Sequence, residues 1–102
     1  MSEIKTLKMV SGEEVLCKVN EIDEDSGVFT IESPLVLQVM PTPQGGFGLG
    51  LIPWIHSQRS GEIEVSVSQI MCLATPDKEV QDGYLSQISG IKIASSGIAL
   101  NG

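Results

Sequence analysis

The chain is short of cations. Six Lys and Arg face thirteen Asp and Glu over 102 residues, a formal net charge of -7. Such a surface repels phosphate backbones unless its few cations are gathered in one place, so non-specific nucleic-acid binding is disfavoured. Cysteine is scarce too. Cys17 and Cys72 are the only two, each in an apolar, strand-like setting with no histidine nearby, which leaves a zinc site without ligands and a disulfide framework without density. Both are read as reduced core residues. Apolar runs stop well short of the ~20 residues that span a bilayer, and Met1 to Val10 lacks the basic-then-apolar layout of a signal peptide. The expectation is a soluble, intracellular protein with no membrane partner. His56 is the sole histidine and no motif ties it to a nucleophile, so no catalytic residue is assigned and no enzyme is expected. Glu21, Asp23, Glu24 and Asp25 lack the twelve-residue spacing of an EF-hand, and phosphate-loop and dinucleotide fingerprints are missing. Neither a metal, a cofactor nor a small-molecule substrate is expected.

What is present is strand periodicity. A chain of this length is about one domain. Ile4 to Val10 is a short β-prone run, and Ser11-Gly12 followed by Glu13-Glu14 signals a tight turn into a second strand. Val15, Cys17 and Val19 alternate with polar residues, the period of a half-buried strand. Asp23 to Gly27 then reverses the chain. From Phe29 the odd positions Phe29, Ile31, Leu35, Leu37 and Val39 are apolar, a phase expected to run on past Pro34 as one long strand kinked at the proline.

The loop Met40 to Gly46 precedes a fourth strand with Gly46, Gly48 and Gly50 on one face and Phe47, Leu49 and Leu51 on the other. That pattern predicts a bare backbone strip open to close approach, with a flexible glycine-rich loop as the alternative. Ser57 to Gly61 is a short polar connection. A fifth strand starts with Ile63, Val65 and Val67, and its phase then slips to Ile70, Cys72 and Ala74. A bulge or sharp coil near Ser68-Gln69 would keep both halves facing the core. Thr75-Pro76 reads as N-cap and first helical residue, and Val80, Tyr84, Leu85 and Ile88 recur at helical spacing up to Gly90. Gly83 costs such a helix roughly 1 kcal/mol relative to Ala, so the helix needs docking. Residues 91–102 are read as an edge strand or a disordered tail. The predicted division is a barrel over 1–75, a helix over 76–90 packed on it, and the tail.

Five strands, a tight first turn at Ser11-Gly12, an acidic turn between strands two and three, a long bent third strand and a short loop before the fifth resemble the Sm/LSm fold. Residues 4 to 75 carry the likeness, which implies an all-β, strongly bent five-stranded barrel. A more specific similarity is to small proteins of marine and cyanobacterial tailed phages, through Ser11-Gly12-Glu13-Glu14-Val15, Met40-Pro41, Gly48-Leu49-Gly50-Leu51-Ile52-Pro53-Trp54, and Ala74-Thr75-Pro76 leading to Tyr84. The resemblance implies a ring of about five to seven copies, fourth strand joined to a neighbour's fifth, in the cytoplasm of an infected bacterial host. Gly48, Gly50, Leu51, Val65 and Val67 are the expected interface. Unpaired strand edges in a small domain are sticky unless covered, which favours ring closure independently.

Sm-type proteins usually hold RNA on the loops after strands two and four. Asp23 matches the start of the first signature, though its Asn is absent, and Arg59-Ser60-Gly61 resembles the second with one residue inserted. Trp54, His56 and Arg59 lie close in sequence, and an aromatic platform beside a cation holds single strands without sequence readout. Asp23, Trp54, His56, Arg59 and Gly61 are therefore the candidate RNA site, with Lys18 as a further pore cation. The competing reading packs Trp54 at the barrel end or subunit seam and leaves His56 and Arg59 as solvated loop residues. Tyr84 is read as a docking residue, a base platform being the alternative. A ring that binds RNA and a purely structural or protein-interaction ring both remain open.

Overall fold

A computed structural model describes residues 3–58 and 61–94, with 90–94 as backbone alone. The expectations for Arg59 and for 95–102 fall outside the described residues. The order is β1 (Glu3–Met9), β2 (Glu14–Asp23), β3 (Val28–Pro41), β4 (Phe47–Pro53), β5 (Glu62–Ser66), a 3-10 turn (Val67–Gln69), β6 (Ile70–Ala74) and the helix α1 (Lys78–Ala94). All strand pairs are antiparallel, in the order β4-β3-β2-β1-β6, with β5 also on β3. This is the mostly antiparallel β architecture with one C-terminal helix expected of an Sm fold.

The sheet has two apolar faces, and β3 serves both. Leu7, Val15, Cys17, Phe29, Ile31, Val36 and Val65 fill the barrel interior. Leu16 and Leu35 face outward against Tyr84, flanked by Ile4, Leu37, Leu51, Val80 and Ile88. The expected phase therefore does not survive Pro34: Phe29 and Ile31 point inward, whereas Leu35 and Leu37 point to the helix. The cause is one extra residue. Leu16 pairs with Leu35 and Lys18 with Glu32, so Cys17 alone opposes both Ser33 and Pro34. Ser33 takes φ 53°, alone among the described non-glycine residues, and a single-residue bulge exchanges the two faces of everything that follows. The kink is where Pro34 predicts it.

The predicted fifth strand is two strands. Its break is the 3-10 turn at Val67–Gln69, after which β6 leaves β3 for β1. Ile70 reaches the interior, but Cys72 is exposed, as are Met71 and Leu73. Cys72 is thus not a core residue, because β6 is an end strand that curls off the packed interior. Cys17 is fully buried, and burial pushes its thiol up to about 12.

Helix α1 starts at Lys78, two residues later than Pro76, because Asp77 supplies the first helical acceptor: the Gln81 N–H bonds its carbonyl at 2.9 Å. Thr75 instead accepts the Lys5 ammonium at 2.9 Å. The helix also continues through Gly90 to Ala94, so 91–94 are neither edge strand nor disordered tail. An interior glycine costs about 1 kcal/mol without by itself ending a helix. Docking offsets such costs, since a fully buried apolar side chain contributes ~1.5–3 kcal/mol, and Tyr84 is wholly buried.

Candidate functional site

β4 and β5 together pair with the whole of β3, but not continuously. Pro53 stands opposite Leu35 and Glu62 opposite Glu32, so the chain leaves the sheet after Pro53, where β3 kinks at Ser33-Pro34, and rejoins it at Glu62. The Trp54 N–H bonds the Pro34 carbonyl at 3.1 Å, anchoring one end of the excursion. At the other end Gln58 Nε2 donates to the Glu62 carbonyl at 3.0 Å. Gly61 closes the loop at φ 87°, a conformation that a side chain would strain.

Trp54 is half-buried and packs against the interior cluster. It borders a groove of about 330 Å³ shared with Met9, Ile63 and Val65, whose charged lining residues are Glu13 and Glu64. His56 is exposed in the loop beyond it.

Asp23 lies elsewhere. It pairs with Val28, which pairs with Ser66, whereas Gly61 precedes Glu62 at the opposite end of β5. The five steps from Gly61 to Ser66 span roughly 16 Å along the strand at 3.3 Å per residue, and Asp23 lies two strands across from Ser66. Asp23 is also occupied with its own turn. Its Oδ1 accepts the N–H groups of Asp25 at 3.1 Å and Ser26 at 3.2 Å. The backbone bond from Ser26 is the main cause of its depressed carboxyl pKa. The fold thus gathers Trp54, His56 and Gly61 in one segment and leaves Asp23 at the far end. Lys18 stands in a cross-strand row with Glu32 and Glu62, one cation against two carboxylates.

The glycine strip is not bare. Gly48 faces the Thr42 side chain, and a Cβ on Gly50 would lie 2.8 Å from both Sδ and Cε of Met40. Met40 of β3 and Thr42 of the loop that follows fold across it.

Sequence reasoning placed the subunit contact on Gly48, Gly50, Leu51, Val65 and Val67, and the structure distributes these unevenly. Val65 is buried inside its own barrel, and Leu51 lies partly under α1. Val67 belongs to the 3-10 turn. β4 and β5, both paired to β3, share one end of the sheet and β6 forms the other, each of the three with one strand edge unpaired among the described residues. Both ends carry exposed apolar side chains: Phe47 and Leu49 on β4, Met71 and Leu73 on β6. The alternation that identifies β4 is readable beforehand; the exposure of β6 is not, because its residues look like core.

The barrel is kinked and open at two ends, with a 3-10 turn between its last two strands, and the family model of the Sm-like domain matches residues 6–85. The chain belongs to the Sm-like domain family. Sm-like domains are generally RNA-binding and ring-forming, and typically non-catalytic. The match covers β1 mostly, all later strands and the first half of α1, so the docked helix turn bearing Tyr84 lies inside the Sm-like region. No curated protein matches the chain. No described helix is long and apolar enough to cross a membrane.

Proposed function

We propose that this Sm-like chain closes into a homo-oligomeric ring by pairing β4 of one copy with β6 of the next, and that the ring holds single-stranded RNA at the loop bearing His56 and Arg59. The observation that carries the ring is the pair of open sheet ends, both lined with exposed apolar side chains. A head-to-tail contact between two different edges generates a cycle when the rotation closes, and closure removes the edge liability of every subunit. Family membership supports RNA as the ligand. Cyclic repetition would turn one Arg59 per chain into a circle of cations, the arrangement in which local charge outweighs a net charge of -7. The likeness of the turn and strand-four motifs to small tailed-phage proteins supports a phage origin, and with it a place in an infected bacterial cell.

A second reading, a ring that contacts protein and no nucleic acid, is favoured by a specific observation. Trp54 is committed to the barrel and its groove is flanked by Glu13 and Glu64, so the indole is poorly placed to stack a base beside phosphate. The two readings separate on one assay: fluorescence anisotropy of a labelled oligouridylate at two salt concentrations. Salt-dependent binding that is lost in Arg59→Glu with assembly unchanged supports RNA. Equal retention by the variant removes the site, and no binding by the wild type leaves the protein-contact ring.

A further inference from the structure

β2 ends its pairing with β3 at Val36, and β3 and β4 run on alone as a two-stranded arm. The register puts Leu37 with Leu51, Val39 with Leu49 and Pro41 with Phe47 on one face. The first of these rungs lies under α1. The next two are uncovered: Val39 is 68 % exposed, Leu49 62 % and Phe47 78 %. The covered helix-binding surface therefore continues, without change of chemistry, into an open one. The opposite face of the arm is different, its glycines being covered by Met40 and Thr42.

The arm lies in a stretch from Ser33 to Gln58 that contains no Asp, Glu, Lys or Arg, in a chain where 19 % of residues are charged. Exposed strands normally carry such charges to prevent association. Two acidic chains repel wherever their charged surfaces meet, and this uncharged arm is where they can approach without that cost.

We propose that the helix-side face of the arm is a second self-association surface, on which Val39, Leu49 and Phe47 of one copy dock against the same face of another, stacking two rings. The contact is isologous, each copy giving and receiving the same residues. One arm pair is small beside the ~1,200–2,000 Å² of a specific interface. Cyclic symmetry sets every arm of a ring at the same height, so two rings engage all pairs at once and gain by multivalency. The stacking of rings rests on the ring reading above, whereas the pairing of arms does not.

The test is absolute mass by light scattering behind a sizing column, for the wild type, for Val39→Lys, which charges the arm face from β3 and leaves the β4 side chains in place, and for Met71→Lys, which charges the β6 edge and leaves the arm intact. The wild type is expected at twice the mass of the arm variant, and Met71→Lys no larger than a dimer. Val39→Ser replaces Val39→Lys if that variant does not fold. Equal masses for the wild type and a folded arm variant overturn the arm contact even where a ring forms. A wild-type dimer that becomes a monomer in the arm variant upholds the arm contact and overturns the ring instead.

Discussion

The hydroxyl of Tyr84 donates a 2.7 Å hydrogen bond to the carbonyl oxygen of Ser33, joining the middle of α1 to the residue at which β3 exchanges its faces. Tyr84 has no exposed surface, and burial raises its hydroxyl pKa well above the ordinary value. The bond satisfies a carbonyl in a kinked segment and fixes where the helix crosses the sheet.

Tyr84→Phe keeps the ring and removes the donor. A lost bond to a half-buried acceptor costs ~0.5–1.5 kcal/mol, so the urea midpoint falls by that equivalent with an unchanged slope. Tyr84→Ala removes the packing as well, a loss of ~3–5 kcal/mol on the scale of large aromatic truncations. Should Tyr84→Phe unfold at the wild-type midpoint, the helix is held by packing alone.

Gly50 faces Met40, and the clash is with the far end of a flexible side chain. Gly50→Val therefore forces Met40 aside, and because Met40 is itself exposed it can swing away. The loss stays below the ~1–3 kcal/mol typical of overpacking a well-packed core. Pairing Gly50→Val with Met40→Ala recovers part of the loss. Strictly additive losses in that double-mutant cycle would show that the two residues do not meet.

Cys17 makes stability fall at alkaline pH. Its folded-state pKa is raised to about 12 from an ordinary 9.0, so the unfolded chain releases the thiol proton first. The contribution is whole below pH 9 and is lost as pH rises from 9 toward 12, with a limiting slope of about 1.4 kcal/mol per pH unit. Between pH 8 and 10 Cys17→Ala is expected to show a flatter decline than the wild type, the titration of Tyr84 being common to both. Parallel declines would mean that the thiol titrates alike in both states.

Much of this fold is legible in the residues. The Ser11-Gly12 turn, the inward set Val15, Cys17 and Val19, the kink at Pro34, the break near Ser68-Gln69 and the docking role of Tyr84 follow from period and turn chemistry, and all stand in the structure. The face exchange after Pro34 is not legible, because the positive φ of Ser33 is imposed by tertiary packing on a residue with no preference for it. Cys72 misleads for a related reason: alternation shows which residues share a face, not whether that face is covered. At the candidate site, the sequence brings Trp54, His56 and Gly61 together, and the fold keeps them so. Asp23 fails to join them because β5 intervenes, a separation set by pairing that no local pattern encodes.

The central claim, that β4 and β6 of neighbouring copies join, is tested most directly by the absolute mass of the wild type and Met71→Lys across a dilution series. Met71 is 62 % exposed on the β6 edge, so a charge there leaves the barrel intact. The account predicts a wild-type species of several subunits whose mass is independent of concentration, and a Met71→Lys variant no larger than a dimer. A monomeric wild type, or a variant that assembles as the wild type does, would contradict it.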